Sequence, residues 1–246
     1  IDASSTSSYQ PLMNSLTSSV VSTSYTQEPK LRGSTTASSD GFGYSVAIDG
    51  DYAIVGAIYD DDDGSDSGSA FIFKMSGTSW TEEATLTSTD ATGGNWQGKS
   101  VGINGEYAIV GAHGVNNRKG AAYIFKRTGS SWAEQAKLTA GAGQSSSNDR
   151  FGCSVAINGE YAIVGAQNRA TSRGGAFIFK RTGSSWTQEA NLTDWGRTTY
   201  SYFGRSVGIY GEYAVIGAYG RDDGAYIFKR TGSSWTQEAQ VIGADT

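Results

Sequence analysis

Cysteine, proline and long apolar runs are scarce in this chain of 246 residues. The single cysteine, Cys153, cannot form an internal disulfide, and its apolar neighbours predict a buried, unreactive thiol. No apolar stretch approaches the ~20 residues that a membrane-spanning helix needs, so we expect no membrane span. The net charge of −5 leaves no surplus of Lys and Arg to neutralise phosphates, which argues against nucleic-acid binding.

Histidine is equally scarce, because His113 is the only one. A Ser-His-Asp or Cys-His nucleophile system would have to recruit its remaining members from an otherwise generic loop around this residue. No other group of residues in the sequence has the pattern of a catalytic site. We therefore expect a protein that is not an enzyme.

What the chain does contain is one pattern that occurs four times. Near-copies of Ser-Val-Ala-Ile-Asp-Gly-Asp-Tyr-Ala-Ile-Val-Gly-Ala begin at Ser45, Ser100, Ser154 and Ser206. Each copy is followed by an aromatic block such as Phe-Ile-Phe-Lys, and then by a segment that begins with Ser-Trp. A repeat of about 40–50 residues made of short strands is typical of a propeller blade or a solenoid coil.

Each repeat is predicted to form four antiparallel strands. In the third repeat the first two strands are joined by Asn158-Gly159, a pair that favours a type I′ turn. Large and small side chains alternate along these strands, as packing on both faces of a blade requires. The repeated tryptophans fit blade packing better than sugar stacking. The full units are predicted at about residues 40–86, 96–138, 150–192 and 202–241.

The N-terminal part of the sequence differs from the repeats. Residues 1–24 are rich in Ser and Thr, whereas Tyr25–Leu31 matches the last strand of the repeat. Residues ~9–31, which include part of the Ser/Thr-rich segment, are predicted to form a half-blade, so the protein has four full repeats and would have five blades if the half-blade were completed. The chain begins at Ile1 rather than Met, which favours a secreted protein that has lost its signal peptide.

At this level of detail the repeats resemble the FG-GAP repeats of integrin α-subunit-like β-propellers. The Phe-Gly pairs are Phe42-Gly43, Phe151-Gly152 and Phe203-Gly204, with Gln97-Gly98 in the second repeat; the Gly-Ala pairs are Gly56-Ala57, Gly111-Ala112, Gly165-Ala166 and Gly217-Ala218. The resemblance implies an all-β propeller of four-stranded antiparallel blades. It also implies an extracellular, non-enzymatic protein used for adhesion, ligand binding or assembly.

The sharpest local feature is an acidic loop that follows the Gly-Ala pair of the first repeat. Integrin-like blades carry a Ca²⁺ loop at this place, and Ca²⁺ requires six to eight oxygen ligands. The resemblance therefore implies a Ca²⁺ site, and the alternative is a solvated acidic loop. The candidate ligands are Asp60, Asp61, Asp62, Asp63 and Asp66.

Two further kinds of site are predicted on the variable segments. Asn191 begins the one N-glycosylation sequon, Asn-Leu-Thr, and enters a variable loop. Aromatic residues in the segments between repeats could line a ligand-binding face: they are Trp96, Trp195, Tyr200 and Tyr202.

Two functions follow from these observations. The first is an extracellular scaffold or adhesion protein that binds other proteins or assembles with itself, with the half-blade completed head-to-tail by strand addition. The alternative is a lectin-like module that binds glycans through the loop aromatics, with Ca²⁺ as a possible cofactor.

Overall fold

The computed structural model describes residues 30–141, 143–193, 200–220 and 224–243. The chain divides into two compact units, Ile1–Lys30 and Leu31–Thr246, and the second contains every element described below. Three predicted features lie outside the described residues: the Ser/Thr-rich segment, the predicted half-blade up to residue 29, and Trp195.

Sixteen strands of the described chain form four antiparallel sheets, which we call blades 1 to 4. Blade 1 contains β1 (Phe42–Asp49), β2 (Tyr52–Ala57), β3 (Ser69–Ser76) and β4 (Ser79–Leu86). Blade 2 contains β5 (Gln97–Asn104), β6 (Tyr107–Ala112), β7 (Ala121–Thr128) and β8 (Ser131–Leu138). Blade 3 contains β9 (Phe151–Asn158), β10 (Tyr161–Ala166), β11 (Ala176–Thr182) and β12 (Ser185–Leu192). Blade 4 contains β13 (Ser206–Tyr210), β14 (Tyr213–Ala218), β15 (Gly224–Thr231) and β16 (Ser234–Ile242).

In every blade the strands are hydrogen-bonded in chain order, each antiparallel to its neighbours. The predicted all-β class of four-stranded antiparallel propeller blades is therefore confirmed. Two short helical turns, α1 (Val115–Arg118) and α2 (Arg169–Ser172), lie between the second and third strands of blades 2 and 3. Within the described residues, no helix has the length and apolar character to cross a membrane.

The first turn of each blade differs from the predicted type I′ geometry. In blade 3, Asn158 pairs with Tyr161. The two-residue loop is therefore Gly159-Glu160, one residue later than predicted. Gly159 has a φ of 58°, and Glu160 does not share this left-handed conformation. A positive φ at the first central residue alone is the pattern of a type II′ turn, which takes Gly there. Tyr210 is tolerated at the equivalent of Asn158 because no positive φ is required of it.

Alternation along the strands gives each blade two apolar faces. On β11, Phe177 and Phe179 pack in a cluster with blade 2, whereas Ile178 packs in a cluster with blade 4. A third cluster joins blades 1 and 2 in the same manner. Among the apolar clusters of the described residues, none joins blade 4 to blade 1.

The recurring Phe-Gly and Gly-Ala pairs meet where consecutive blades touch. A Cβ atom added to Gly165 of blade 3 would lie 2.0 Å from the carbonyl oxygen of Gly204 in blade 4. The same carbonyl oxygen accepts a hydrogen bond from Ser154 Oγ at 2.8 Å. The equivalent glycine pairs are Gly56 with Gly98 and Gly111 with Gly152. Glycine is required here because the backbone of the next blade occupies the space of a side chain.

A second junction lies at the outer edge of each pair of blades. The Trp186 ring of blade 3 packs edge-on against Tyr107 of blade 2, with ring centroids 6.1 Å apart. Trp186 Nε1 donates a hydrogen bond to Gln135 Oε1 at 3.0 Å, and the Arg181 guanidinium lies 4.6 Å from the Tyr107 ring centroid. Trp132 contacts Tyr52 and Glu83, and Trp235 contacts Tyr161 and Glu189, in the same way. The repeated tryptophans are therefore packing residues, as their repetition predicts.

Candidate functional site

Blade 4 leaves one apolar face uncovered, which we call the open back face. Tyr213 and Val215 are each 44% exposed, whereas their counterparts in blade 3, Tyr161 and Ile163, are 8% and 0% exposed. A groove of about 570 Å³ lies over this face, and its lining includes Tyr213, Val215 and Glu238. In blade 3 the same surface is covered by the following blade.

Blade 1 leaves the opposite face uncovered, which we call the open front face. Val46 and Ile48 of β1 are 69% and 67% exposed. Their counterparts in blade 2, Val101 and Ile103, are only 8% and 7% exposed because they pack against blade 1. Leu31 covers a different part of blade 1, where it packs against a separate apolar cluster. The β1 part of the front face is therefore left exposed.

The two open faces carry matching halves of the outer junction. Inside the chain, Trp235 of blade 4 donates a hydrogen bond from Nε1 to Glu189 of blade 3 at 3.0 Å. In each of the first three blades, a tyrosine and a Glu or Gln contact the tryptophan of the following blade. Tyr213 and Glu238 are the equivalent residues of blade 4. Trp80 of blade 1 is the equivalent of Trp235. Among the described residues no preceding blade contacts it.

Two of the repeated contacts have no equivalent on the open faces. Met75 of blade 1 is the equivalent of Arg181 of blade 3, whose guanidinium packs on a tyrosine ring of the preceding blade. Methionine cannot make this cation–π contact. Tyr210 stands on blade 4 at the position of Asn158, whose Oδ1 accepts a hydrogen bond from the Gly211 N–H at 3.0 Å. The match between the two faces is therefore incomplete.

A second candidate site, the cationic cluster, lies among the loops where residues of blades 1, 2 and 3 meet. Lys99, Arg118 and Arg150, together with Trp96 and His113, line a cavity of about 220 Å³. The Trp96 and His113 rings lie 5.0 Å apart, and the Arg118 guanidinium lies 5.1 Å from the Trp96 ring centroid. No carboxylate of the described residues forms an ion pair with any of these three cations.

Three residues of the cationic cluster have a left-handed backbone conformation. Trp96, Arg118 and Arg150 have φ angles of 53°, 62° and 57°. In α1 the two residues before Arg118, Asn116 and Asn117, are also left-handed. This conformation costs roughly 1–2 kcal/mol per residue for L-amino acids, although Asn accepts it more readily than most. The conformation belongs to the repeat rather than to the cluster, since the equivalent residues elsewhere are also left-handed: Asp66, Ser172 and Tyr202.

The polar atoms of the cationic cluster are only partly satisfied. His113 is 8% exposed, and burial together with the charges of Lys99, Arg150 and Arg118 lowers its pKa from 6.5 to about 3. The imidazole is therefore neutral at pH 7. Among the described residues, His113 Nδ1, Trp96 Nε1 and Arg150 Nε are buried atoms without a hydrogen-bond partner.

The acidic loop between β2 and β3 directs its most buried carboxylate into the loop itself. Asp60 is 1% exposed, and it accepts hydrogen bonds from Ser69 Oγ at 2.6 Å and from the Asp62 N–H at 2.9 Å. Burial raises the pKa of Asp60. The described residues contain no group of three His, Cys, Asp or Glu side chains arranged to hold a metal ion. The Ca²⁺ site at Asp60, Asp61, Asp62, Asp63 and Asp66 stays a prediction.

The aromatic residues predicted to line one ligand face fall into two groups. Trp96 belongs to the cationic cluster, whereas Tyr202 stacks on Tyr219 with ring centroids 4.8 Å apart and lies 6.4 Å from Tyr200. Within the described residues no ring contact joins the two groups. Ligand binding by a shared aromatic face stays a prediction, and Trp195 lies outside the described residues.

Two isolated side chains lie apart from these sites. Asn191 is on β12, where it is half-buried and its Oδ1 has no hydrogen-bond partner, so glycosylation there stays a prediction. Cys153 is 6% exposed, and burial raises the pKa of its thiol. The predicted buried thiol is confirmed.

Sequence reasoning found one member of the cationic cluster, Trp96, and missed the rest. Lys99, His113, Arg118 and Arg150 belong to different strands and loops, and nothing local in the sequence joins them. A comparison of the repeats position by position could have found them, since the equivalent residues one repeat later are Cys153, Gln167, Ser172 and Tyr202.

Comparison with known proteins places these observations in a family. No curated protein sequence matches the chain. Among solved structures, a mutant Aleuria aurantia lectin in complex with alpha-methyl-L-fucoside is similar with a TM-score of 0.47 and 15% identity, over 78% of this chain and 56% of the lectin. The same mutant lectin in complex with Fucalpha1-6GlcNAc gives a TM-score of 0.47 and 16% identity, over 78% and 57%. The chain thus spans just over half the length of these lectin chains.

The match to the repeat is more extensive. The model of the FG-GAP repeat matches residues 25–73, 80–125, 132–179 and 186–228, which is more than half of the chain. Each of the last three matches begins in the outer strand of one blade and continues through the first three strands of the next. The chain belongs to the FG-GAP repeat family.

Proposed function

We propose that this protein is a non-enzymatic extracellular scaffold or adhesion protein that associates with a second copy of itself through its open front and back faces. The observation that carries the proposal is the exposure of Val46 and Ile48, at positions that are buried in blade 2. Each open face offers one half of a junction that the chain makes three times internally.

The internal junctions indicate what the contact between two copies would contain. Trp80 of one copy would enter the groove beside Tyr213 and Glu238 of the other, as Trp235 does inside the chain. Val46 and Ile48 would pack against the apolar back face. Complete burial of one such side chain contributes about 1.5–3 kcal/mol, so a contact over two faces is strong enough to be measured.

Joining the front of one copy to the back of another is a heterologous contact. Such contacts close into a ring when successive rotations complete a turn, and otherwise extend into a filament. Two copies with four blades each supply eight blades, which is within the range of about four to eight found in propellers. We therefore propose a closed dimer with two identical junctions.

The proposed junction is weaker than the internal ones for three reasons. Met75 and Tyr210 do not reproduce the repeated contacts of arginine and asparagine. In addition, Leu31 already packs against blade 1 as Leu86 packs against blade 2, and an incoming β16 would end at the same place. Leu31 and the end of the incoming β16 cannot both occupy this place, so the association is expected to be reversible and dependent on concentration.

Complementary variants test the proposal. Val46→Asp with Ile48→Asp disables the front face, and Tyr213→Asp with Val215→Asp disables the back face. We expect each double variant to sediment as a monomer, because a charge in an apolar junction is costly. An equimolar mixture should form a 1:1 dimer through the one intact junction. A matched control, Ser130→Asp with Ser184→Asp in exposed turns, should associate like the unmodified protein.

The proposal would be overturned if the unmodified protein were monomeric at high concentration. Continued association of both disabled variants would also contradict it, because that result would place the contact elsewhere.

A lectin-like module is the second candidate function, favoured by the aromatic and cationic loop residues around Trp96. A glycan array with and without Ca²⁺ tests it and the predicted Ca²⁺ loop together. Binding that is lost on Ca²⁺ removal and in Asp61→Asn with Asp63→Asn would support both. An array without any bound glycan in either condition would exclude the lectin.

A further inference from the structure

We propose that the cationic cluster is a binding site for an oxyanion, the carboxylate or sulfate group of an acidic sugar. The inference does not depend on the self-association proposed above, because the two sites are separate, but it rests on the lectin-like candidate, for which it names the class of ligand. It rests on three observations: unpaired positive charge, buried polar atoms without partners, and the occurrence of this set of residues at only one of the repeated positions.

The charge of the cluster is not balanced by the protein. Lys99, Arg118 and Arg150 line one cavity, yet the described residues supply no carboxylate within ion-pairing distance of them. Lys99 instead donates a hydrogen bond to the Tyr44 hydroxyl. Like charges gathered in one place repel each other, and an anion in the cavity would relieve this repulsion. The same charges disfavour a divalent cation as the ligand.

The unpartnered atoms of the cluster can donate hydrogen bonds into the cavity. Trp96 Nε1 and Arg150 Nε are donors only, and neutral His113 can donate from Nδ1. The His113 side chain is more than nine-tenths buried. Buried polar groups are nearly always hydrogen-bonded, so three unpartnered atoms around one cavity point to a missing acceptor. An oxyanion offers several acceptor oxygens, and arginine binds such groups strongly.

This set of residues occurs once among the described repeats, although the strands around it are repeated. The sequence Tyr-Ala-Ile-Val-Gly-Ala is identical in β6 and β10. Both α1 and α2 contain left-handed residues, yet the equivalent of Arg118 in α2 is Ser172. Gln167 replaces His113 in the same way. The fold therefore does not require these cationic residues, and a local role explains them better than packing.

The cavity has room for more than the anionic group. Its volume is about 220 Å³, many times the roughly 10–15 Å³ of such volume that one water molecule needs. Tyr44 and Tyr59, which are 47% and 43% exposed as whole residues, extend the lining with aromatic rings. Aromatic rings beside a charged group suit a ligand with an apolar sugar face and an anionic substituent.

In the test, the full chain is titrated with each probe while the ¹H–¹⁵N resonance of Trp96 Nε1 is monitored. This resonance is assigned by its absence from the spectrum of Trp96→Phe. The probes are sodium D-glucuronate, inorganic sulfate and neutral methyl glucoside. We expect D-glucuronate to shift the Trp96 resonance and methyl glucoside to leave it unchanged. Arg150→Gln and Arg118→Gln should each weaken glucuronate binding about tenfold, the loss of about 1.4 kcal/mol.

Arg173→Gln provides the matched control, because Arg173 is exposed at the end of α2 and does not line the cavity. Its affinity for glucuronate should equal that of the unmodified protein. Tighter binding of glucuronate than of sulfate would identify the anion as one carried by a sugar, whereas equal binding would identify a free-anion site with the same oxyanion chemistry. The inference would be overturned if neither anion moved the Trp96 resonance, or if Arg150→Gln and Arg173→Gln bound glucuronate equally well.

Discussion

The junction between blades 2 and 3 and the two open faces are built from nearly the same sequence in opposite surroundings. Val155 of blade 3 is 8% exposed because blade 2 covers it, whereas Val46 of blade 1 is 69% exposed. The repeat pattern alone would assign both residues to the core. In repeat proteins each unit is stabilised by its neighbours, so a position is core only where a neighbour exists.

The same comparison applies to the glycine of the repeated Gly-Ala pair. At Gly165 the next blade occupies the place of a side chain, whereas at Gly217 only Ser206 Oγ lies within 3 Å of an added Cβ atom. The sequence is identical at both positions, but only the internal one is held by backbone. Substitutions at matched internal and terminal positions can therefore separate the contribution of a neighbour from that of the strand itself.

The largest difference is expected for Gly165→Ala against Gly217→Ala. The added methyl group at Gly165 meets the Gly204 carbonyl oxygen, which cannot move without shifting blade 4, and we expect a loss of about 3 kcal/mol in unfolding free energy. At Gly217 the Ser206 hydroxyl can rotate away, so the loss should stay below about 1 kcal/mol. Urea unfolding measures both. Equal losses would contradict the glycine account.

The next largest difference is expected for Trp186→Ala against Trp80→Ala. Truncation of Trp186 removes a ring that packs on Tyr107 and a hydrogen bond to Gln135, which should cost about 3 kcal/mol. Trp80 packs only against its own blade among the described residues, so its truncation should cost less than half as much in dilute solution. A similar destabilisation by both variants would mean that Trp80 is already covered.

A smaller effect distinguishes the loop of blade 2 from that of blade 3. Burial and neighbouring cations hold the pKa of His113 at about 3, below the 6.5 of an exposed histidine. Below pH 6.5 the unfolded chain binds a proton that the folded chain excludes, so stability falls as the pH is lowered towards 3. At pH 5 the free energy of unfolding should be about 2 kcal/mol lower than at neutral pH.

His113→Gln installs the residue that blade 3 carries at this position, Gln167. The variant should lose less stability between pH 7 and pH 5 than the unmodified protein, as urea unfolding at each pH would show. An unchanged pH dependence would place the responsible group elsewhere.

The smallest expected effect is on the proposed junction between copies. Tyr210→Asn restores the acceptor that Asn158 provides inside the chain, so it should add one hydrogen bond to the Gly50 N–H of the second copy. One such bond contributes about 1 kcal/mol at each of the two junctions, which together correspond to roughly thirtyfold tighter dimerisation in sedimentation equilibrium. Weaker association would show that the exposed Tyr210 ring itself takes part in the contact.

The fold was predictable because its signals are local and repeated. The alternation of Phe177, Ile178 and Phe179 places aromatic and aliphatic side chains on opposite faces wherever the segment forms a strand. The turn register was predicted wrongly by one residue, since Asn158-Gly159 and Gly159-Glu160 are both acceptable two-residue loops. The choice depends on how the whole hairpin pairs.

The candidate sites were less predictable because they depend on contacts between blades. Whether Val46 is exposed depends on the presence of a blade in front of it, which no residue near Val46 encodes. Lys99 and Arg118 of blade 2 meet Arg150 only after blade 3 has packed against blade 2. The acidic loop shows the reverse case: its carboxylates are adjacent in the sequence, yet Asp60 turns inward to bond with Ser69.

The most direct test of self-association through the open faces is the mass of the unmodified protein in solution, measured by multi-angle light scattering over a series of concentrations. The account predicts a mass that rises with concentration from the 25.9 kDa of one chain towards twice that value. It also predicts that Val46→Asp with Ile48→Asp abolishes the rise. A mass of 25.9 kDa at every concentration would contradict the account.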